Sequence, residues 1–119
     1  MILSYKDSSG EEKKLRFKPL PQGKPVSLGR SPDADVTIND SSMSRVHCAI
    51  RYWDDIFVVR DMHSSNGTFL NGEKIDVAQL NPGDVLKAGD TEFTVVTEEG
   101  VSRDVTMRYD PKKMRNAGE

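Results

Sequence analysis

Three clusters of polar residues, each following an apolar run, carry the side chains of this sequence that are suited to binding chemistry. They are Gly29-Arg30, then Ser44-Arg45-Val46-His47, and then Ser65-Asn66-Gly67-Thr68 followed by Asn71-Gly72. An arginine guanidinium presents a planar fork of N–H donors that fits a carboxylate or a phosphate. Serine hydroxyls and asparagine amides add donors and acceptors, and glycine lets a ligand approach the backbone. If the clusters converge, they could surround a tetrahedral anion and also hold the main chain of an extended peptide.

Taken one at a time, the clusters are weak evidence for a site. Serine, asparagine and glycine are common in any turn, and an isolated arginine such as Arg30 is most often a solvated surface residue. The pattern of residues does not by itself bring three distant clusters together. The elements between the clusters must do so.

Ser44 and His47 also raise the possibility of catalysis, because a histidine close to a serine can act as its general base. The two residues lie three positions apart where a loop meets a strand, and the sequence indicates neither a third group nor an oxyanion site. His63 has no metal-ligating residues around it, and Cys48 lies in an apolar run, which argues against a zinc site. The glycines lack the Lys-Ser/Thr element of a nucleotide-binding loop. We therefore predict no catalytic residue, no metal and no cofactor.

Short apolar runs separated by turn residues predict an all-β fold. No apolar period of 3.6 residues persists for three turns, whereas alternation with a period of two is frequent. Asn71-Gly72 is typical of a two-residue hairpin turn. The pattern predicts a β-sandwich or barrel with strands over residues 1–6, 14–18, 26–28, 36–38, 46–52, 56–59, 69–70, 74–77, 85–87 and 91–97.

Composition limits the classes of function. A chain of 119 residues is expected to form one domain, and a formal net charge of −2 provides no overall field that attracts nucleic acid. No charged-then-apolar leader opens the chain and no apolar run approaches the ~18 residues of a membrane span, so we expect a cytoplasmic protein. The single cysteine, Cys48, is expected to be a small buried apolar residue.

The sequence changes character after residue 100. Residues 101–119 contain five basic and three acidic residues, and the last ten have almost no apolar content. Val101, Val105 and Met107 could form one edge strand. We predict a domain over residues 1–100, followed over 101–119 by an edge strand, a linker or a free tail.

The order and spacing of the three clusters, with the strand-like runs between them, resemble the forkhead-associated (FHA) domain. The similarity extends over residues 26–96, and three motifs in register are far more specific than one. The resemblance implies a twisted β-sandwich of two mainly antiparallel sheets, with about 11 short strands and the binding loops at one end. It also implies a non-catalytic module that binds phosphothreonine in an extended segment of a partner protein.

The resemblance assigns phosphate contacts to four residues. Arg30 would pair with the phosphate, and Ser44 would donate its hydroxyl to a phosphate oxygen. Arg45 would contribute its backbone N–H and could add its side chain. Ser65 would make a further phosphate contact or shape the pocket for the threonine methyl group.

Further residues would hold the peptide or support the loops. Asn66 would hold the peptide main chain beside the phosphothreonine. Asn71 would support the loop that contains Asn66, or would itself reach the peptide. His47 would fix its loop by hydrogen bonding. The residues expected to support the binding loops are Gly29, His47, Gly67, Thr68 and Gly72.

Two positions bear on affinity. At position 65 this sequence has serine where the family pattern has threonine, and serine keeps the hydroxyl. Arg45 adds positive charge next to the pocket, which could tighten phosphate binding or relax its dependence on the peptide context. Arg51 and Arg60 could extend this basic face, although the sequence leaves open on which side of the sheet they lie.

We predict a phosphothreonine-dependent adaptor or regulatory domain, part of a larger signalling protein, whose partner is the substrate of a serine/threonine kinase. The alternative is the same fold acting in phosphate-independent assembly or oligomerisation, through the same loops or through a sheet face. Neither nucleic acid nor a membrane is expected as a partner. The oligomeric state is left open, with a monomer expected for the isolated domain.

Overall fold

The computed structural model describes residues 1–19 and 23–96, and within them the chain forms eleven strands and no helix. No helix that could cross a membrane therefore occurs in this part of the chain. The all-β prediction is confirmed. The strands are β1 Ile2–Lys6, β2 Glu12–Arg16, β3 Val26–Gly29, β4 Val36–Thr37, β5 Cys48–Trp53, β6 Ile56–Asp61, β7 Thr68–Leu70, β8 Glu73–Ile75, β9 Val77–Leu80, β10 Val85–Ala88 and β11 Thr91–Val96.

The strands form two sheets, as the prediction of a sandwich required. One sheet has six strands in the order β2-β1-β11-β10-β7-β8, and the other has five in the order β4-β3-β5-β6-β9. The short pair β3–β4 is parallel, and the other strand pairs are antiparallel. The parallel pair places the chain after β3 and the chain after β4 at the same end of the sandwich.

The core lies between the two sheets and is built from alternating positions. On β11, Phe93 and Val95 are buried while their neighbours Glu92 and Thr94 are exposed. Residues of the five-stranded sheet pack against them, and the side chains that are at most 1% exposed include Leu3, Leu28, Ile50, Val59, Leu86 and Phe93. Each such apolar side chain contributes about 1.5–3 kcal/mol through burial. Cys48 is also fully buried, as predicted.

The hairpin at Asn71-Gly72 is confirmed. Leu70 pairs with Glu73, and the two residues between them have φ angles of 51° and 87°, the combination that a type I′ turn requires. Asparagine and glycine tolerate these angles at low cost, so this local sequence determines the register of β7 and β8.

The prediction of one strand over 74–77 is wrong. Residues up to Ile75 belong to β8 of the six-stranded sheet, whereas Val77 begins β9 of the five-stranded sheet. Between them Asp76 accepts a backbone hydrogen bond from Asp61 of β6 at 2.8 Å. The alternation misled the prediction, because Ile75 packs against the core while Val77, two positions on, faces outward from the other sheet. The predicted boundary at residue 100 and the edge strand after it lie outside the described residues.

Gly29 provides a direct test of how β3 packs against the second polar cluster. A Cβ at this position would lie 2.0 Å from the carbonyl oxygen of Arg45 and 2.9 Å from the Cα of Val46. Both neighbours are backbone, so no rotamer change relieves the clash. We expect Gly29→Ala to lower the free energy of unfolding by about 3 kcal/mol or more, measured by urea denaturation.

Gly10→Ala is the matched control for that substitution. Gly10 has a φ of 88°, and a methyl group added there would have no atom within 4 Å, so only backbone strain opposes the change. We expect a loss of about 1–2 kcal/mol for this control. Equal losses for the two variants would show that the close approach at Gly29 is unimportant for stability.

Candidate functional site

The three polar clusters, apart from Asn71-Gly72, meet at one end of the sandwich. They lie in the first loop (residues 30–35), the second loop (38–47) and the third loop (62–67). The backbone N–H of Arg30 donates to the carbonyl of Ser44 at 3.0 Å, and the N–H of Ser65 donates to the Ser44 hydroxyl at 2.9 Å. The Asn66 amide nitrogen donates to the carbonyl of Ser42 at 2.8 Å. The second loop therefore binds both of the others.

Arg30 is exposed, and its side chain is held at one point. Its Nε–H donates to the carbonyl of Met43 at 3.0 Å, which fixes the guanidinium plane beside the second loop. No carboxylate among residues 1–19 and 23–96 forms an ion pair with it. The terminal N–H groups of the guanidinium are therefore open to an anion in solution.

Ser44 lies next to Arg30 with its hydroxyl group oriented for donation. Because the hydroxyl oxygen already accepts from Ser65, its own hydrogen is left to donate outward. The backbone N–H of Arg45 and the hydroxyl of Ser65 likewise have no acceptor in the described part of the chain. The four residues thus provide one guanidinium, two hydroxyls and a backbone donor on loops that are hydrogen-bonded to one another.

The side chain of Arg45 pairs with Asp33 of the first loop. The distance between its Nη2 and the Asp33 Oδ2 is 2.5 Å, and the two side chains are 68% and 63% exposed. An ion pair this exposed contributes at most about 1 kcal/mol. The pair biases the position of the Arg45 guanidinium but does not prevent it from binding another anion.

His47 is completely buried and joins the second and third loops. Its Nδ1 accepts from the backbone N–H of Ser44 at 3.0 Å, so the ring carries its hydrogen on Nε2, which donates to the carbonyl of Gly67 at 2.9 Å. Its own backbone donates to Leu28 and accepts from Met62. Both ring nitrogens are occupied by backbone groups.

This arrangement does not form a catalytic serine–histidine pair. His47 contacts the backbone of Ser44, while the Ser44 hydroxyl is turned toward Ser65. Burial raises the pKa of the Cys48 thiol to about 12, and the nearby Asp61 adds to this effect, so the thiol is not a nucleophile at neutral pH. Within the described residues, no group of three or more His, Cys, Asp or Glu side chains could hold a metal ion.

Asp61 supports the third loop, and the sequence interpretation missed it. Its carboxylate accepts from the hydroxyls of Ser64 at 2.5 Å and of the buried Thr68 at 2.7 Å. The Ser64 hydroxyl in turn accepts from the N–H of Gly67, whose φ is 89°. Burial opposes ionisation of Asp61, but these hydrogen bonds outweigh it and lower the pKa of Asp61. A strand-ending Asp followed by Ser and Thr at +3 and +7 could have indicated it.

Asp40 anchors the second loop to the opposite sheet and was also missed. Its carboxylate accepts from the N–H of Asp90 at 2.9 Å, the hydroxyl of Thr91 at 2.6 Å and the N–H of Ser42 at 2.9 Å. Burial works against the charge, yet the hydrogen bonds outweigh it and lower the pKa of Asp40. A side chain at Gly89 would lie 2.9 Å from this carboxylate, so the glycine makes the contact possible.

Asn71 is not brought to the three loops. It lies at the other end of β7 from Gly67, where its amide donates to Asp84 at 3.0 Å and accepts from the N–H of Val85 at 2.9 Å. Asn71 therefore holds the turn before β10, and Gly72 beside it lies at the same end of β7, so neither residue contacts the third loop, which they were expected to support. A peptide contact by Asn71 stays a prediction.

Comparison with known proteins assigns the family. The family model of the FHA domain matches residues 26–89, more than half of the chain, and the chain belongs to the FHA family. The glycogen accumulation regulator GarA of Mycobacterium tuberculosis is 38% identical over 72 residues, which are 60% of this chain and 44% of GarA. The chain therefore spans less than half of the length of GarA.

Solved structures agree with this assignment. One, from a study of phosphothreonine-dependent FHA domain interactions, has a TM-score of 0.67 and 31% identity, and the match covers 82% of this chain and 95% of the other. EmbR of Mycobacterium tuberculosis, solved with a low-affinity phosphopeptide, has a TM-score of 0.60 and 28% identity over 83% of this chain and 26% of EmbR. The fold of this chain is that of an FHA domain.

The contacts of His47 lead to a stability prediction. We expect His47→Ala to lower the free energy of unfolding by about 3 kcal/mol, because it leaves a cavity and strips the Ser44 N–H and the Gly67 carbonyl of their partner. Thermal melting measures the loss, and the exposed His63→Asn is the control expected to leave the melting temperature unchanged. Unchanged melting of His47→Ala together with lost phosphopeptide binding would indicate a ligand contact instead of a scaffold.

Asp61 leads to a prediction about pH. The pKa of Asp61 in the folded chain lies below its usual value of 3.8. The ionised carboxylate therefore stabilises the fold in full at pH values above 3.8, and this contribution is lost as the pH falls through the folded pKa. We expect Asp61→Asn to be less stable than the native chain at pH 7 by about 1–3 kcal/mol, with a smaller further loss on acidification to about pH 3. Urea unfolding at the two pH values measures this. Parallel pH dependences of the two proteins would contradict it.

Proposed function

We propose that this domain binds a phosphothreonine in an extended segment of a partner protein through the first, second and third loops. The observation that carries the proposal is the Arg30 guanidinium, held at its Nε by the carbonyl of Met43 beside the outward-donating hydroxyl of Ser44. The domain acts as a non-catalytic adaptor or regulatory module.

The chemistry of the pocket suits a phosphate. Phosphorylation adds nearly two negative charges and three strong acceptor oxygens. Arg30 supplies the paired positive charge, and the hydroxyls of Ser44 and Ser65 and the N–H of Arg45 supply separate donors. The Arg45 side chain can exchange its exposed carboxylate partner for phosphate. Unphosphorylated threonine offers one neutral hydroxyl to the same set of donors.

Asn66 is the group that would hold the peptide main chain. Its amide nitrogen donates to the carbonyl of Ser42, which fixes the side chain between the second and third loops. Its amide oxygen then remains to accept from a peptide N–H. Asn71 is left out of the proposed binding set, because its amide already bonds to Asp84 and Val85 at the other end of β7.

The relatives support a regulatory setting. GarA is named as a regulator, and EmbR was solved with a phosphopeptide. We place the FHA domain at residues 1–100 of a larger cytoplasmic signalling protein, with a partner that is the substrate of a serine/threonine kinase.

Substitution of Arg30 tests the proposal. We expect Arg30→Ala to weaken binding of a phosphothreonine peptide by about 2–4 kcal/mol, or ~30- to 1,000-fold, because one charge-assisted pair is lost from the pocket. Titration calorimetry with peptides selected from an oriented phosphothreonine library measures the dissociation constant. The matched phosphoserine and unphosphorylated peptides should bind more weakly or not at all.

Lys87→Ala provides the control for loss of positive charge. Lys87 is exposed on β10 of the other sheet and belongs to none of the three loops, and its replacement should leave the dissociation constant unchanged. An unchanged dissociation constant for a folded Arg30→Ala would overturn the proposal. Uniform absence of phosphopeptide binding by the native chain would favour the phosphate-independent alternative.

A further inference from the structure

The outer face of the five-stranded sheet carries a groove that the phosphate site does not use. It is a cavity of about 370 Å³. Its position resolves the question about Arg51 and Arg60, because both lie on this face, on neighbouring strands β5 and β6. We call the surface the outer groove, and its lining residues are Pro25, Ala49, Arg51, Trp53, Val58, Arg60 and Met62.

Apolar side chains are exposed along the outer groove. Trp53 is 53% exposed and Met62 is 40% exposed, and Val77, opposite Arg60 on β9, is 48% exposed. In the described part of the chain, only one other large apolar side chain, Val96, is similarly exposed. Concentration of exposed apolar groups on one face is typical of an interaction surface.

The charge of the outer groove is positive. The Arg51 guanidinium lies 4.5 Å from the centre of the Trp53 ring, in a cation–π contact. Neither Arg51 nor Arg60 forms an ion pair with a carboxylate among residues 1–19 and 23–96. Arginine and tryptophan are among the residues that most often dominate binding energy at protein interfaces. Two arginines that lack such a partner, on a chain of net charge −2, favour an acidic ligand.

The outer groove is continuous with the loops that bind phosphopeptide. Met62 lines the groove and is also the first residue of the third loop. Trp53 lies at the far end of β5, five residues after Cys48, which is roughly 17 Å along the strand. A segment that leaves the phosphate pocket can therefore pass directly onto this face.

We propose that the outer groove is a second docking site, for an acidic segment of the same phosphorylated partner that also carries apolar side chains. Carboxylates of that segment pair with Arg51 and Arg60, and its apolar side chains cover Trp53 and Met62. The identity of the occupant as part of the phosphorylated partner rests on the proposed function. The affinity of the groove for acidic peptides does not.

Trp53 provides the direct test, because it is the only tryptophan in the chain and its fluorescence reports on the groove. The probe is the unphosphorylated capped peptide Asp-Leu-Glu-Phe-Asp-Leu-Glu, titrated into the full chain. We expect a saturable change in fluorescence that weakens with added salt. The double variant Arg51→Glu, Arg60→Glu should raise the dissociation constant at least about tenfold. Arg30→Ala should leave it unchanged.

A linked peptide tests whether both sites serve one partner. A phosphothreonine peptide extended by the acidic segment should bind at least about tenfold more tightly than the phosphothreonine peptide alone, through effective concentration. The double variant should abolish this gain while keeping the affinity for the short phosphopeptide. No gain in the native chain would overturn the assignment to the same partner.

Two controls separate groove binding from general charge effects. A probe with lysine in place of each acidic residue should not bind, and Lys87→Glu on the other sheet should leave acidic-probe binding unchanged. No change in Trp53 fluorescence with the acidic probe would overturn the proposal, as would equal losses for Lys87→Glu and for the double variant. A failure of the proposed function is distinct, because it would appear as unchanged phosphopeptide binding by Arg30→Ala.

Discussion

The binding end of this domain depends on one buried imidazole. His47 lies between the second and third loops and satisfies a backbone donor of one and a backbone acceptor of the other. Because both groups are removed from water, loss of either contact would leave an unpaired polar group at a cost of about 1–3 kcal/mol. The loops are thus held in place before any ligand arrives. Binding then avoids much of the entropy cost of ordering them.

The residues of the site divide into supports, which are buried or partly buried, and donors, which are exposed or partly exposed. Asp40 and Asp61 accept several hydrogen bonds each from backbone and hydroxyl groups, and their lowered pKa values reflect this. The side chains of Arg30 and Ser44, in contrast, each have one hydrogen bond that fixes their position and leave other donors open to solvent. Fold stability and anion affinity therefore depend on different side chains of the same loops.

The sequence predicts this division only in part. Alternation of apolar and polar residues predicts the strands whose two faces differ in polarity, such as β11. Asn71-Gly72 predicts its turn because the positive φ angles of that turn favour these two residues. The alternation of apolar and polar residues continues from Ile75 across Asp76 to Val77, so this pattern does not predict that the chain changes sheet between β8 and β9. The three clusters identify the exposed donors, but an aspartate in a turn has the same appearance in sequence whether it is solvated or, like Asp40, bonded to a hairpin fifty residues away.

The five-stranded sheet also affects how well a site at these loops could discriminate between phosphorylated partners. A phosphate is the same in every phosphorylated partner, so the phosphate contacts proposed around Arg30 would carry little information about the surrounding sequence. Discrimination between partners must come from surfaces that the peptide reaches after leaving the pocket. Strands β5 and β6 begin or end at the binding loops, and their period of two places Ile50 and Val59 in the core and Arg51 and Arg60 on the outer face. The same two strands that hold the loops thus extend the available contact surface toward Trp53.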